Sequence, residues 1–284
     1  MTLQLRSAVY DGFSLALSRN GLLFMAAFVF AEMFSLLVFL GGGLQYVPLE
    51  VGSPFAPGGE GPAGELPEGA SSISTFLSGL FGSLVTIPIA LIAIRTFVAG
   101  RTDRVPDDLI FRRLGRATLS AILAGFLVWI LVFLVLGGFI GLLIVGALML
   151  PSGTPVRILL LAGGVLVLLS LPILWLHFLF IHHEIGVRDV GVFASIRDSW
   201  VTVSQSRLRL FLLATILIVL QFGVSAAGLP SFDAPAALTI VQGGLMALTL
   251  IGSGIIGVFS TAILARAYRQ LSPDPAVRAD SSHR

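Results

Sequence analysis

The sequence contains no cysteine among its 284 residues. This absence excludes disulfide bonds, thiolate nucleophiles and cysteine-ligated metal sites. Lysine is missing as well, so all 17 basic residues are arginine. Charge of either sign is scarce, because charged residues make up 11% of the chain, whereas a soluble domain carries about 25%. The chain therefore has too little polar surface to face water on all sides.

Hydrophobic residues make up 56% of the chain, and they are gathered into long runs. A helix that crosses the hydrocarbon core of a bilayer needs about 20 apolar residues. The runs that reach this length are Gly21–Gly42, Ile73–Ala99, Ala117–Leu150, Val156–His182, Leu210–Leu229 and Ala236–Ala267. Pro151 and Pro155 break the helix between the third and fourth runs, which predicts a tight hairpin there. The first run lacks a cleavage site and is interpreted as a retained span.

Arginine occurs in every second segment that connects the predicted spans, and therefore on one side of the membrane. The segments that carry it are 1–20, 95–116, 183–209 and the C-terminal tail. The intervening loops 43–72 and 230–235 carry acidic residues and no arginine. Because cytoplasmic loops of membrane proteins are enriched in arginine, both termini are predicted to be cytoplasmic. Arg157 is the exception, and its long side chain can reach back to the outer interface.

These patterns predict an all-α fold, a polytopic bundle of six transmembrane helices that crosses the cell membrane several times. Residues 1–272 form the predicted transmembrane domain. Within it, the Gly- and Pro-rich segment 43–72 is expected to be a flexible external loop without a fold of its own. Residues 273–284 are predicted to be a disordered cytoplasmic tail.

Similarity between three parts of the chain suggests a threefold internal repeat. Each part begins with a short amphipathic segment, namely LRSAVYDGFSLALSRN, DDLIFRRLGRATLS and VGVFASIRDSWVTVSQSRLRL. Such segments are typical of helices that lie in the cytoplasmic interface with an apolar face toward lipid. The second and sixth spans also end alike, since Arg95 and Phe97 correspond to Arg266 and Tyr268 at the same spacing. The alternative is that any helix leaving the membrane on the cytoplasmic side ends in arginine.

This layout of interfacial helix, span, external loop and span, repeated to six spans, resembles a known family. The family consists of uncharacterised archaeal, halophile-type membrane proteins, and it is similar to the membrane domain of some glycerophosphodiester phosphodiesterases. The resemblance covers most of the chain and implies no established activity. The hydrolase domain of those phosphodiesterases, with its metal-binding carboxylates, has no room in this sequence.

Glu32 is the acidic residue that lies well inside a predicted span. Burying its charged form in a bilayer is costly, so Glu32 is a candidate for proton relay or cation binding. Gln221 lies at a similar depth in the fifth span, and the two residues form a predicted intramembrane polar site. The alternatives are a protonated Glu32 bonded to a neighbouring helix, and a carboxylate paired with an arginine.

Four polar residues gather at the end of the fourth span: His177, His182, His183 and Glu184. The histidine spacing differs from the i, i+4 pair of a helical zinc site, although His177 and Glu184 are predicted to share a helix face. We therefore expect no metal site here. No set of residues for nucleophilic catalysis is evident, and the sequence indicates no cofactor.

The arginine clusters suit the headgroups of anionic lipids, which attract each nearby arginine by about 1 kcal/mol. The predicted headgroup contacts are Arg95, Arg101, Arg112, Arg113, Arg116, Arg266 and Arg269. Nucleic acid is not an expected partner, because the clusters lack interleaved surface aromatic residues. The expected partner is the lipid bilayer, and the sequence does not identify a protein partner.

Three hypotheses for the function follow. The first is a non-enzymatic membrane or envelope component that engages anionic lipid or a partner protein. The second is a small transporter or exporter, in which Glu32 lines the path beside helices kinked at Pro88 and Pro172. The third is an intramembrane enzyme that modifies lipid, for which the sequence offers no catalytic set. A hydrophilic substrate would need more polar residues at mid-membrane than Glu32, Gln221 and Gln242, which favours the first hypothesis.

Overall fold

A computed structural model describes residues 3–44, 68–105, 110–149, 155–227 and 239–272. Over these residues the chain is helical and forms no β-strand, which confirms the predicted all-α class. In chain order the helices are α1 (Leu5–Ala16), α2 (Arg19–Leu44), α3 (Glu68–Val98), α4 (Leu114–Met149), α5 (Pro155–His177), α6 (Ile181–Arg188), α7 (Val192–Ser204), α8 (Arg207–Ala227) and α9 (Thr239–Leu271).

Two predicted irregular segments lie mainly outside the described residues. They are the external loop, of which 45–67 is not described, and the tail 273–284. The two ends of the predicted loop are helical, since α2 continues to Leu44 and α3 begins at Glu68. Both helices thus extend past the apolar runs that predicted them.

Five helical segments of the described chain are long and apolar enough to cross a membrane. They are Arg19–Leu37, Leu114–Gly146, Ala162–Arg188, Arg207–Val224 and Ala247–Leu271. A further apolar segment, Gly82–Val98 of α3, is shorter. By length and composition, these helices are compatible with a membrane protein.

The predicted amphipathic segments differ in outcome. The first contains α1 and the third contains α7. In the second segment residues 106–109 are not described, residues 110–111 are helical, and the long helix α4 begins at Leu114, so a separate second helix stays a prediction. Arg113 has a positive φ of 45°, a conformation that interrupts a right-handed helix just before α4 begins.

The fourth predicted span is interrupted near its end. Helix α5 ends at His177, and a turn over residues 178–180 leads into α6. The turn is held by short-range backbone bonds such as that from the Ile181 N–H to the Phe178 carbonyl, at 3.2 Å. His177 and Glu184 therefore lie on two different helices, and the prediction that they share one helix face is wrong.

Helix α9 packs against α1, α2, α3 and α8. Its contact with α1 depends on Gly12, because a Cβ atom at this position would lie 2.6 Å from the Cα atom of Ile263. The contact with α2 is similarly close at Gly254, where a Cβ atom would lie 3.0 Å from the Val29 backbone nitrogen. Glycine permits these approaches because it has no side chain.

The most buried apolar side chains gather toward the helix ends that carry arginine. The larger core joins residues such as Phe24, Phe97 and Tyr268, and a smaller cluster joins α3, α4 and α6 around Leu91 and Ile185. By contrast, α4 turns large apolar side chains outward. Phe126, Trp129 and Phe133 are 63%, 62% and 65% exposed. An apolar surface of this kind suits a helix that faces lipid.

Candidate functional site at the arginine end

The arginine-bearing segments of the described chain meet at one end of the bundle, called here the arginine end. It is formed by α1, α6 and α7, by the first turns of α2, α4 and α8, and by the last turns of α3 and α9. Hydrogen bonds join segments that are far apart in sequence. The Asn20 side chain donates to the Arg101 carbonyl at 3.1 Å, and Arg209 donates to the Leu3 carbonyl at 2.6 Å. Arg157, near the first residue of α5, is at the opposite end.

A buried carboxylate joins three helices at this end. Glu184 of α6 is 0% exposed, and its two oxygens accept bonds from α7 and α9. Thr202 donates to Oε1 at 3.2 Å, and the Tyr268 hydroxyl donates to Oε2 at 3.0 Å. Arg188 lies 3.3 Å from Oε2 and also donates to Asp198 at 2.8 Å. We call Glu184, Arg188, Asp198, Thr202 and Tyr268 the Glu184 cluster.

Ser199 of α7 forms hydrogen bonds with backbone groups at the turn between α5 and α6. Its hydroxyl donates to the His177 carbonyl at 2.7 Å and accepts the Phe180 N–H at 3.2 Å. These two backbone groups flank the turn, where regular helical bonding is interrupted. The serine hydroxyl therefore supplies partners that the helix itself no longer provides.

Helix α7 buries three of its four hydroxyl groups and exposes two large aromatic side chains. Ser195, Ser199 and Thr202 are each 0% exposed. Phe193 and Trp200, by contrast, are 81% and 43% exposed. The exposed face of α7 therefore combines large aromatic side chains with Arg197, which is also exposed.

Two of the histidines, His177 and His183, contact aromatic rings. The His183 ring lies 5.4 Å from the ring of Phe180 and 5.5 Å from that of Tyr268, and its two nitrogens bond to none of the described residues. His177 stacks on Trp200 at 4.0 Å, and its Nδ1 is 2.7 Å from the Ile173 carbonyl. Among the described residues, no group of three histidine or acidic side chains could hold a metal ion.

The two residues of the predicted intramembrane polar site lie on two different helices, α2 and α8. Glu32 lies half-buried on α2. Gln221 is on α8, where its side chain donates to the Ser253 hydroxyl of α9 at 2.7 Å. Gln221 thus forms a hydrogen bond that connects the neighbouring helices α8 and α9.

Of the arginines predicted to contact headgroups, some are buried or half-buried in the protein and others are exposed. Arg95 and Arg269 are buried, and they donate to the carbonyls of Gly186 at 2.7 Å and Val98 at 3.4 Å. Arginine commonly binds carbonyls at helix C-termini in this way. Arg266 is half-buried. The exposed members are Arg101, Arg112, Arg113 and Arg116, and Arg113 lies 3.4 Å from Asp189.

Sequence reasoning missed most of the Glu184 cluster. It noted Glu184 as one member of a histidine-rich group and Tyr268 as a counterpart of Phe97, but it did not connect the two residues. One signal was available, because Glu184 and Arg188 are four residues apart in the order that favours an ion pair on a helix. The contributions of Thr202 and Tyr268 come from distant segments and leave no local pattern.

Comparison with known proteins identifies a family and no activity. Neither the comparison with curated proteins nor that with solved structures gives a match. A family model matches residues 3–271, which is nearly the whole chain. The chain therefore belongs to the family described as a domain of unknown function, DUF7847.

Proposed function

We propose that the protein is a non-enzymatic, multi-pass component of the cell membrane whose arginine end binds anionic lipid headgroups on the cytoplasmic side. The observation that carries this proposal is the gathering of arginine-bearing segments at one end of a bundle of apolar helices. Arginine at the cytoplasmic ends of spans is the general rule for membrane proteins, and anionic lipid lies on that side.

The proposed topology has six spans and both termini in the cytoplasm. Five spans correspond to the long apolar helices, and the sixth is α3. Although the apolar segment Gly82–Val98 is short, α3 as a whole begins at Glu68 and packs along α2. Counting α3 as a span places the first turn of α4 on the same side as the first turn of α2, where arginines also lie.

Exposed arginines beside exposed apolar residues support contact with a lipid surface. Arg112 and Arg113 are exposed directly after Phe111, which is itself 77% exposed. Helix α7 contributes Phe193 and Trp200 on its outer face. We propose that α1 and α7 lie in the interface, where aromatic side chains reach headgroup depth and guanidinium groups meet phosphates.

The packing of the helices also supports the proposed threefold repeat. Helix α1 packs on α9, the start of α4 packs near α3, and α7 packs on α6. In each case the first helix of one part contacts the last helix of another. This repeat accounts for the arrangement of the arginine end, since each part contributes its last helical turns to it. The resemblance to the membrane domain of glycerophosphodiester phosphodiesterases stays a prediction from layout, and the proposed function does not depend on it.

The arrangement of the Glu184 cluster favours a non-enzymatic role. The carboxylate of Glu184 is fully buried and bonds to three protein side chains. A general acid or base must reach the proton that it transfers. The bonds from Arg188, Thr202 and Tyr268 instead make Glu184 a connection between helices.

The transporter hypothesis depends on Glu32. This carboxyl group lies half-buried on α2. Gln221, which would share the path, is engaged by Ser253. We therefore place transport second to lipid binding.

The proposal is tested by measuring lipid preference around the reconstituted full-length chain. Spin-labelled phosphatidylglycerol and phosphatidylcholine would be compared by electron paramagnetic resonance in vesicles that contain the protein. We expect phosphatidylglycerol to be preferred, and the triple variant Arg112→Gln, Arg113→Gln, Arg116→Gln to reduce that preference at least about fivefold. Arg157→Gln, at the opposite end, is the control and should have no such effect. An unchanged preference in the triple variant would contradict the proposal.

A further inference from the structure

A groove runs between α1 and α8 at the arginine end. Its apolar part has a volume of about 580 Å³ and is lined by Leu5, Arg6, Val9, Tyr10, Phe13, Leu213 and Ile216. It adjoins a polar part of about 630 Å³, because Leu5, Arg6 and Tyr10 line both. We call the two parts together the α1–α8 groove. Each part is within the size range of small-molecule sites in proteins.

Different faces of α1 pack on α9 and border the groove. Helix α1 packs on α9 through a face of small and apolar residues that includes Ala8, Gly12 and Leu15. The next face of the helix, with Val9 and Phe13, borders the groove instead. This face belongs to the amphipathic pattern that predicted contact with lipid. Its apolar residues are therefore placed beside α8, where a hydrocarbon chain could lie against both helices.

The polar part of the groove is basic on balance. Arg6 and Arg209 line it together with Asp11, Gln4 and Ser7. Both arginines are exposed. Arg209 uses its Nη1 group to donate to the Leu3 carbonyl at 2.6 Å, and a guanidinium has five N–H donors in all. Two arginines in one recess form a favourable setting for a phosphate group.

We propose that the α1–α8 groove binds one molecule of an anionic phospholipid. An acyl chain lies in the apolar part between α1 and α8, and the phosphate is bound by Arg6 and Arg209. The carboxylate of Asp11 accepts a hydrogen bond from a headgroup hydroxyl. This inference rests on the proposed lipid-binding function and adds a defined site to it.

The match between the groove and its ligand has two independent parts. The charge of the recess complements a phosphate, and the apolar lining continues onto the outward face of α8, where Ile216 is 56% exposed. A soluble phosphate ester would use only the polar part. A neutral lipid would use only the apolar part. An anionic phospholipid uses both, and it is available in the bilayer that would surround these helices.

The test is native mass spectrometry of the full-length chain, stripped of lipid in detergent and titrated with phosphatidylglycerol. Phosphatidylcholine with the same acyl chains, and inorganic phosphate, serve as comparison ligands. We expect one phosphatidylglycerol to bind more tightly than the rest, and Arg6→Gln with Arg209→Gln to weaken that binding about 30-fold. Arg157→Gln removes an arginine at the opposite end of the bundle, outside both the groove and the arginine end, and should leave this binding event unchanged.

A second variant leaves both arginines and the Leu3 contact in place. Ile216→Trp fills the apolar part of the groove and should weaken phosphatidylglycerol binding at least about tenfold, because the acyl chain loses its contacts. Leu208→Trp is the matched control, since Leu208 is on the same helix, is 73% exposed and does not line the groove. Phosphatidylglycerol binding that survives both the double arginine variant and Ile216→Trp would overturn the proposal.

The outcomes separate this inference from the proposed function. If the groove variants bind normally and only the triple variant Arg112→Gln, Arg113→Gln, Arg116→Gln binds less lipid, the groove assignment is wrong and the general headgroup function stands. If the wild-type chain prefers phosphatidylcholine or shows no preference, both are wrong. A lipid-independent dimer that Ile216→Trp dissociates would assign the groove to a second copy of the chain and overturn the lipid assignment.

Discussion

The hydroxyl of Tyr268 lies 3.0 Å from Oε2 of Glu184, although the two residues are 84 positions apart in the sequence. This contact connects α6 to α9 within the Glu184 cluster. A hydrogen bond to a buried carboxylate contributes more than one between neutral groups, because the alternative is a charged or polar group without a partner. Glu184 thus connects α6 to α7 and α9 at the arginine end.

Removing the Tyr268 hydroxyl tests this role. We expect Tyr268→Phe to lower the free energy of unfolding by about 1.5–3 kcal/mol, because Glu184 loses a donor while the ring stays in place. Unfolding in detergent, followed by circular dichroism, provides the measurement. Tyr10→Phe is the control, since Tyr10 is 76% exposed and its hydroxyl should contribute little. Equal stability of Tyr268→Phe and the wild type would show that the contact is not important for folding.

The close approach of α1 and α9 gives a second prediction. Gly12→Ala would place a methyl group 2.6 Å from the Ile263 Cα atom, so α1 must move outward. We expect a loss of about 1–3 kcal/mol in stability, as for other overpacked contacts. Gly115→Ala is the matched control, because apart from its own chain neighbours and helix backbone no atom lies within 4 Å of the added Cβ, and alanine favours the helix by about 0.5–1 kcal/mol. Gly12→Ala as stable as the wild type would contradict this packing.

The proposed topology is testable because the chain contains no cysteine, so that each introduced thiol is unique. Ser53→Cys, in the predicted external loop, should react in intact cells with a thiol reagent that does not cross membranes. Asp103→Cys, between α3 and α4, should react only after the membrane is opened. The opposite pattern of labelling would reverse the orientation, and labelling of both positions from outside would overturn the six-span layout.

Glu32→Gln distinguishes lipid binding from transport. If the protein is not a transporter, vesicles that contain it should take up protons and sodium ions no faster than empty vesicles. Glu32→Gln should then leave both ion uptake and the preference for phosphatidylglycerol unchanged. Ion uptake that depends on the wild-type chain and is lost in Glu32→Gln would instead support the transporter hypothesis.

The sequence alone predicted the helical class and the approximate position of each long helix. Apolar runs of about 20 residues have few alternatives to helix in a membrane, because every backbone polar group must find a partner within the segment. The short helices α1 and α7 were also visible in the sequence. The helix ends were less accurate, as at Leu44 and Glu68, because helices can continue beyond the hydrocarbon region that sets the apolar pattern.

Tertiary contacts explain what the sequence did not predict. At the end of α5, the His177 carbonyl accepts a hydrogen bond from Ser199, which belongs to another helix. Similarly, Arg95 and Arg269 look like surface arginines in the sequence, yet both are buried against backbone carbonyls. Local periodicity carries no information about such partners, since they become neighbours only when the bundle forms.

The order of the partners of Glu184 along the chain has a consequence for biosynthesis. Proteins are made from the N-terminus onward, so Glu184 and Arg188 leave the ribosome together. Thr202 on α7 follows shortly after, and Tyr268 emerges almost at the C-terminal end of the matched domain. The hydrogen-bond donors of the Glu184 carboxylate therefore become available in the order of synthesis. The last of them, Tyr268, becomes available with α9. In a nascent chain on a ribosome stalled before Tyr268, Glu184 should therefore still lack its hydrogen bond from Tyr268.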